Sequence, residues 1–309
     1  MDQPHTGARL TGRAFPLLRA LMALAAVNLT GCSSVVLDPK GPVGAAETTI
    51  LYNALAIMLV IVVPTIVATL VVAWWFRASN KRATYRPEWV FSGRIELVVW
   101  SIPLMVILLL SGVIWTGSHA LDPAQPLRST AKPLEVEVVS LDWKWLFIYP
   151  AQGIATVNDL VVPAGTPVHF RLTSASVMSA FFVPQLGSMI YTMNGMATQL
   201  NLMADHPGTF DGRSSHYNGD GFSGMHFTLH AVTPEQFAGW AASAGQGTTV
   251  LDAAAYRQLA RQSLDNKPFV YARAAPGLFD DIVRQKLPPA PGPPPGPRTP
   301  PAEDNRHAG

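Results

Sequence analysis

The sequence contains one cysteine, Cys32, among 309 residues. A single thiol can neither close a disulfide within the chain nor supply the paired thiolates on which many metal sites depend. Metal sites built from two or more cysteines are therefore excluded.

The position of Cys32 predicts a lipid anchor. A short apolar stretch, residues 20–29, follows Arg9, Arg13 and Arg19 and stops just before Thr30-Gly31-Cys32. Basic residues, a short apolar run and small residues before a cysteine are typical of a bacterial lipoprotein signal. We expect residues 1–31 to be the signal peptide and Cys32 to carry the lipid. An ordinary signal anchor with an incidental cysteine is the alternative.

Charged residues are also few, at 14% of the chain, and the formal net charge is only +2. No broad basic patch is present, which argues against nucleic acid as a partner. The hydrophobic content of 49% and the mean hydropathy of +0.21 are too high for an ordinary soluble protein. These values indicate a protein with both membrane and soluble parts.

Two long uncharged stretches, residues 50–76 and 97–117, predict a transmembrane hairpin over residues 50–117. At about 1.5 Å per helical residue, each can cross a hydrocarbon core of about 30 Å. Pro64 and Pro103 lie inside these stretches, where packing against neighbouring helices can satisfy the backbone groups that proline leaves free.

Basic residues predict the orientation of the hairpin. They crowd the short loop between the two stretches, at Arg77, Lys81, Arg82, Arg86 and Arg94. The positive-inside rule places this loop in the cytoplasm. We therefore expect residues 32–49, everything after residue 117 and both termini to be periplasmic, in a multi-pass protein of the bacterial inner membrane.

Residues 132–232 change to the alternation of apolar and polar side chains that is typical of strands. Strands are predicted at residues 134–139, 157–162, 168–172, 180–183, 198–203 and 225–232, separated by turn signals. Short, evenly spaced strands indicate an all-β sandwich or barrel. Helices are predicted at residues 234–242 and 252–262, capped by Thr233 and Asp252, in a helical extension over residues 233–286. The proline-rich residues 287–309 are expected to be a disordered tail.

Three motifs carry a family resemblance. They are DWKW at residues 142–145, VMSAFFVP at residues 177–184 and PGTFDG at residues 207–212. In this order, after a lipoprotein signal and a helix hairpin, the chain resembles subunit II of heme-copper terminal oxidases over residues 44–231, extending to about residue 286. It is most similar to subunit II of cytochrome bo-type ubiquinol oxidases. The resemblance implies a cupredoxin-like fold for the periplasmic sandwich.

The resemblance also identifies positions at which the cytochrome c oxidase branch holds a binuclear copper centre. The two histidine positions fall on Ser179 and Phe222, the two cysteine positions on Ser214 and Asn218, and the carbonyl position on His216. Only Met225 matches, and a lone thioether is a weak ligand. We therefore expect no metal centre and no catalytic residue in this chain.

Histidines and tryptophans offer further candidates. His226 and His230 are expected on one face of a strand with His216 across a loop, but their spacing is typical of surface or hydrogen-bonded histidines rather than of a metal site. Trp143 and Trp145 are expected to share one strand face and to pack on the neighbouring catalytic subunit or on the sandwich.

Glu96, at the cytoplasmic start of the second span, is the remaining candidate. The resemblance places here a glutamate at the entrance of the proton pathway into subunit I. An intramembrane carboxylate can relay protons. The alternative is a solvated acid that the positive end of the helix dipole favours.

The implied function is that of an accessory subunit of a quinol oxidase. Hemes and a copper ion are expected in subunit I, where ubiquinol is oxidised, oxygen is reduced and protons are pumped. Small residues of the hairpin, Ala54, Ala56, Ser111 and Gly112, are expected to pack on subunit I. Two alternatives are a cytochrome c oxidase subunit with a remodelled copper site and a lipoprotein adaptor unrelated to respiration.

Overall fold

The computed structural model describes residues 35–84, 86–264 and 266–290. Cys32, the predicted signal and residues 291–309 of the predicted tail lie outside this part of the chain. A short 3-10 turn, Val35–Leu37, opens it, and two long helices follow, α1 (Pro42–Trp75) and α2 (Gly93–Ala120). Each is long and apolar enough to cross a membrane. Helix α1 begins eight residues before the predicted stretch, because Pro42 stands in its first turn, where the fixed φ of proline suits a helix start.

The two helices pack along one seam and leave their other faces exposed. A Cβ added at Gly117 of α2 would lie 2.8 Å from Cδ1 of Ile50 in α1, so the two backbones approach closely there. Half-buried positions on α1 recur at the spacing of one helix face, at residues 50, 54, 57 and 61. Pro64 and Pro103 lie inside the continuous helices.

Two sheets form the predicted sandwich, which confirms the cupredoxin-like fold class. The strands are β1 (Leu134–Leu141), β2 (Lys144–Tyr149), β3 (Ile154–Val157), β4 (Asp159–Pro163), β5 (Val168–Ser174), β6 (Ser179–Phe182), β7 (Ile190–Thr192), β8 (Thr198–Leu202), β9 (Gly208–Ser214) and β10 (His226–Val232). The five-stranded sheet has the order β4-β10-β9-β6-β7, with β4 and β10 parallel. The opposite sheet has six strands, because the C-terminal extension adds one to its edge.

That extension is not purely helical as predicted. It holds α3 (Pro234–Ala244), β11 (Val250–Leu251), α4 (Ala253–Leu259), β12 (Phe269–Tyr271), β13 (Arg273–Ala274) and α5 (Leu278–Val283). Strand β12 pairs with β3 and completes the order β12-β3-β2-β1-β5-β8. The predicted caps are confirmed, since Thr233 forms a capping box with Gln236, and Asp252 accepts from two backbone amides of α4.

The extension buries the outer face of the six-stranded sheet. Trp145, Phe147 and Tyr149 of β2 point into the core between the sheets. Alternate residues Leu146 and Ile148 point the other way, into a second core formed with α4 and α5. Strand β2 is therefore buried on both faces, and its apolar sequence lacks the alternation that marks a one-sided strand.

One tight turn divides a run that the sequence pattern predicts as a single strand. Residues 157–162 are predicted as one strand, but Asn158 adopts a left-handed conformation with φ of 55° and separates β3 from β4. Its side-chain oxygen accepts from the backbone amide of Trp145 at 2.8 Å, which stabilises this bend against β2. Asparagine tolerates a positive φ better than most residues, so this is a turn that an apolar run conceals.

Helix α1 is joined to the sandwich through its first turns. The Lys40 amide donates to the Gln185 carbonyl at 2.7 Å, and the Asp205 amide donates to the Lys40 carbonyl at 2.9 Å. Within the helix, the Gly44 amide donates to the Leu186 carbonyl at 3.0 Å. This last bond gives a partner to an amide that a helix N-terminus would otherwise leave without one. The membrane hairpin and the sandwich are thus directly connected.

Candidate functional site

The six positions that the family resemblance relates to a copper centre lie at one end of the five-stranded sheet. Ser179 begins β6 and Ser214 ends β9, two adjacent strands whose register pairs Ser214 with Phe181. The loop between β9 and β10 carries the other four positions, His216, Asn218, Phe222 and Met225. The strand ends and this loop bring together residues that are far apart in sequence.

Asn218 connects the cluster through hydrogen bonds. Its Nδ2 donates to Ser179 Oγ at 2.8 Å and to Met225 Sδ at 3.1 Å. The three residues are buried, and Met225 and Ser179 are 0% and 1% exposed. The Ser214 hydroxyl donates to the His216 carbonyl at 3.1 Å, and the Ser214 amide donates to the Met225 carbonyl at 3.1 Å. Four of the six positions therefore form one closed polar cluster of neutral side chains, which we call the Asn218 cluster (Ser179, Ser214, Asn218 and Met225).

One atom of this cluster has no partner. Asn218 Oδ1 is buried without a hydrogen bond to any described residue. Leaving a buried acceptor unsatisfied costs roughly 1–3 kcal/mol, so the loop accepts a penalty at this point. The other two positions lie at the margin: the ring of His216 stands edge-on to Tyr191, and that of Phe222 edge-on to Tyr217.

The histidines have separate partners. His226 Nε2 lies 2.6 Å from the Ser223 carbonyl, whereas His230 Nε2 lies 3.3 Å from a carboxylate oxygen of Asp159. Burial raises the pKa of Asp159, and the neighbouring His230 lowers it. Within residues 35–84, 86–264 and 266–290, no three His, Cys, Asp or Glu side chains are grouped so that they could hold a metal ion.

The two tryptophans do not share a strand face. Trp143 lies in the turn between β1 and β2 with φ of 65°, and its indole packs over Gly221, where a Cβ would lie 2.3 Å from the ring. Trp145 is 0% exposed and stands edge-on to Phe181 and Phe227 in the core. Of the two predicted alternatives for Trp145, packing on the sandwich holds and an interface with a neighbouring subunit does not, because the sandwich itself covers its indole. Trp143 is 7% exposed, and an interface role for it stays a prediction.

Lys144, between the two tryptophans, is a residue whose role the sequence motif did not suggest. It is 1% exposed, and its Nζ donates to the Arg261 carbonyl at 2.7 Å and to the Ser263 hydroxyl, both just after α4. Burial lowers its pKa to about 8, although the charge of Asp142 raises it. A lysine in an otherwise apolar strand was the sequence feature that could have indicated a buried polar contact. Lys144 connects the sandwich to the extension.

Glu96 lies in the first turn of α2, as predicted, and its side chain is exposed. Its amide donates to the Ser92 carbonyl at 3.0 Å, and Trp100 Nε1 donates to the Glu96 carboxylate at 3.1 Å. The indole holds the carboxylate along the outer face of the hairpin. This geometry is compatible with a proton relay toward a neighbouring subunit and with a solvated acid at a helix start.

Comparisons with known proteins identify relatives over most of the chain. A family model described as cytochrome c oxidase subunit II, periplasmic domain, matches residues 136–232, and one described as the COX aromatic rich motif matches residues 246–287. The chain is 46% identical to cytochrome bo(3) ubiquinol oxidase subunit 2 of Pseudomonas putida over 275 residues, 89% of this chain and 88% of the relative. It is 48% identical to ubiquinol oxidase subunit 2 of Acetobacter aceti over 260 residues, 84% of each.

Among solved structures, the chain is similar to the periplasmic domain of subunit II of cytochrome oxidase of Bradyrhizobium japonicum. That likeness has 23% identity and a TM-score of 0.36, and it covers 38% of this chain and 96% of the other.

Proposed function

We propose that this chain, which belongs to the subunit II family of cytochrome bo-type heme-copper ubiquinol oxidases, is a subunit without a redox group of its own. In this proposal ubiquinol is oxidised, and oxygen is reduced to water with proton pumping, at hemes and a copper ion in subunit I. Electrons reach those centres without passing through the sandwich. The chain supplies two membrane helices and a periplasmic domain that complete the complex.

The Asn218 cluster is the observation that carries this proposal. A binuclear copper centre depends on two bridging thiolates, which are soft ligands for copper. The corresponding positions hold the hydroxyl of Ser214 and the amide of Asn218, which are neutral and poor ligands for copper. Asn218 is moreover bonded to Ser179 at 2.8 Å and to Met225 at 3.1 Å, so the one matching thioether already has a polar partner. The sole cysteine of the sequence is Cys32, far from this cluster in the chain.

The exposed face of the hairpin supports a partner in the membrane. Ala56, Ser111 and Gly112 are exposed, and a Cβ at Gly112 would meet nothing within 4 Å. Small residues allow close approach of another helix in the bilayer, and we assign these three to the contact with subunit I. Ala54 is half-buried on the seam with α2, so it serves the hairpin itself.

We further propose the topology that the charges indicate. The basic loop between α1 and α2 faces the cytoplasm, and the sandwich and both termini face the periplasm of a bacterium, at its inner membrane. Residues 1–31 are removed as a signal, and Cys32 carries the lipid anchor. Mass spectrometry of the mature N-terminus checks this assignment: an unmodified residue 32, or a retained signal, would contradict it.

Purification of the native complex tests the function. We expect the chain to copurify with a heme-bearing subunit and the complex to oxidise ubiquinol but not reduced soluble cytochrome c. Copper measured on the separated chain should be substoichiometric. Two copper ions per chain, or turnover supported by cytochrome c, would favour the remodelled copper site instead. Isolation without any heme-bearing subunit would favour the adaptor.

A pair of variants tests the proton role of Glu96. Glu96→Ala should lower quinol turnover and proton uptake per heme, because it removes the carboxylate at the pathway entrance. Glu88→Ala is the matched control, since Glu88 is an exposed acid just before the same helix. Equal turnover in both variants, with full assembly, would exclude Glu96 from the pathway.

A further inference from the structure

Three apolar side chains stand exposed just before helix α1. Val35, Val36 and Leu37 form a short 3-10 turn, and they are 46%, 47% and 43% exposed. Single exposed apolar residues are ordinary on a protein surface, but three in succession on one turn form a small continuous patch. We call this patch the Val35–Leu37 turn. Its position relative to α1 decides what covers it.

A hydrogen bond fixes the height of this turn along the helix. Thr48 Oγ1 donates to the Val36 carbonyl at 3.0 Å, and Thr48 is 8% exposed. Thr48 lies six residues after Pro42, which corresponds to about 9 Å along the helix axis. The chain before the helix therefore runs back alongside it toward the membrane, instead of rising away over the sandwich.

That height coincides with the boundary of the membrane. Ile50, two residues after Thr48, begins the uncharged stretch of α1. The uncharged stretch is about 40 Å long, whereas a hydrocarbon core is about 30 Å thick. The ends of the stretch therefore extend beyond the core, and the level of Thr48, just before the stretch, corresponds to the headgroup region. The polar residues of the segment before α1 lie toward the sandwich, where Lys40 and Asp38 form an ion pair of 2.7 Å. The Lys40 backbone is bonded to Gln185 and Asp205 of the sandwich.

We propose that the Val35–Leu37 turn is an interfacial anchor that inserts into the outer leaflet of the bilayer. The occupant of its apolar surface is lipid, at the boundary between headgroups and acyl chains. Two observations carry the assignment. The bond to Thr48 holds the turn at the membrane boundary, and Leu51 and Tyr52, one helical turn further along the same face of α1, are exposed apolar side chains. Apolar side chains that lie in this plane gain free energy by leaving water. The inference rests on the proposed membrane orientation of the hairpin.

Photo-crosslinking in the native complex tests the anchor. A benzophenone amino acid is introduced in place of Val36, membranes are irradiated, and the mass of the chain is measured. We expect a mass increase equal to one phospholipid. The same probe at Val67, which is 52% exposed in the middle of α1, tests the membrane span by itself. At Gly239 in α3, where a Cβ has open space, no adduct is expected.

The outcomes separate the anchor from the proposed function. A polypeptide adduct at position 36 means that a neighbouring subunit covers the turn, and no adduct means that water covers it. Either result overturns the anchor. An adduct to lipid or to a membrane subunit at position 67, together with normal quinol turnover, would in those cases leave the proposed function standing.

Discussion

Ser179→Ala removes the oxygen that accepts the 2.8 Å hydrogen bond from Asn218 Nδ2. Asn218 is 7% exposed and its Oδ1 already lacks a partner among the described residues. The variant leaves the amide with the Met225 sulfur alone, a weak acceptor. Stranding a buried donor costs about 1–3 kcal/mol. For a domain of this size, about 2–4 °C of melting temperature is lost per kcal/mol, so we expect a fall of roughly 2–12 °C.

Removing both partners should cost much less. In the double variant Ser179→Ala/Asn218→Leu, neither the stranded donor nor the orphan Oδ1 remains. Leucine has the branched shape and the number of side-chain heavy atoms of asparagine, and the loss of the Ser179 hydroxyl leaves room for part of its greater bulk. Replacing both members of a buried pair with apolar groups is nearly neutral. The double-mutant cycle should therefore show a coupling energy of about 1 kcal/mol or more. Thermal unfolding of the full chain in detergent micelles, followed by circular dichroism, measures all four proteins.

The same variants examine the functional proposal. If electrons bypass the sandwich, quinol turnover per heme in the assembled complex should match wild type in all three variants, however much stability changes. A large loss of turnover at full assembly would refute the reasoning that the Asn218 cluster is structural. Additive free energies in the cycle would refute the structural assignment of the hydrogen bond itself.

Three further predictions concern packing and charge. Lys144→Met should abolish a rise in stability between pH 8 and 10.5: in the wild type the unfolded lysine binds its proton more tightly than the folded one, whose pKa is about 8. The rise should stay below about 1.4 kcal/mol per pH unit, which is the limit for a single proton, and denaturant unfolding across this window measures it. Gly41→Ala places a Cβ 2.2 Å from the Met203 carbonyl oxygen and should cost about 1–3 kcal/mol in a thermal melt. Gly239→Ala, inside α3 where a Cβ meets nothing, should instead stabilise the protein by about 0.5–1 kcal/mol. Arg171→Met removes ion pairs of 2.8 Å to Glu137 and 2.9 Å to Asp280, and we expect a loss of about 1–3 kcal/mol that adding Glu137→Leu partly restores; an undiminished loss in the double variant would contradict the pairing.

Local patterns in the sequence were enough to predict the membrane helices and most of the sandwich. The two spans follow from the length of the uncharged stretches alone. In the extension, Thr233 and Asp252 mark the starts of α3 and α4, because their side chains bond to nearby backbone amides. The positions of the Asn218 cluster could also be identified, because a family motif fixes each by its spacing. Their hydrogen bonds could not, since they depend on how the loop after β9 turns back over β6.

The errors have common physical causes. Strand β12 pairs with β3 across more than one hundred residues, and no local pattern reports such a distant partner. Trp143 lies in a turn with a left-handed backbone, so it does not share a strand face with Trp145, although both side chains belong to the same core. Because β2 is buried on both faces, its sequence lacks alternating polar residues, and the inner face could not be distinguished from the outer one.

The strand that the extension contributes to the larger sheet sets a condition on biogenesis. Residues near 269–282 pair with the edge of β3 and cover the apolar outer face of β1 and β2. Until these residues have crossed the membrane, that edge has no partner strand and that face is exposed to water. A chain that is incompletely exported or terminated early would thus expose the unpaired edge of β3 and an apolar sheet face. Both features favour aggregation and proteolysis. Closure of both the edge and the outer face of the six-stranded sheet therefore requires the chain through about residue 282.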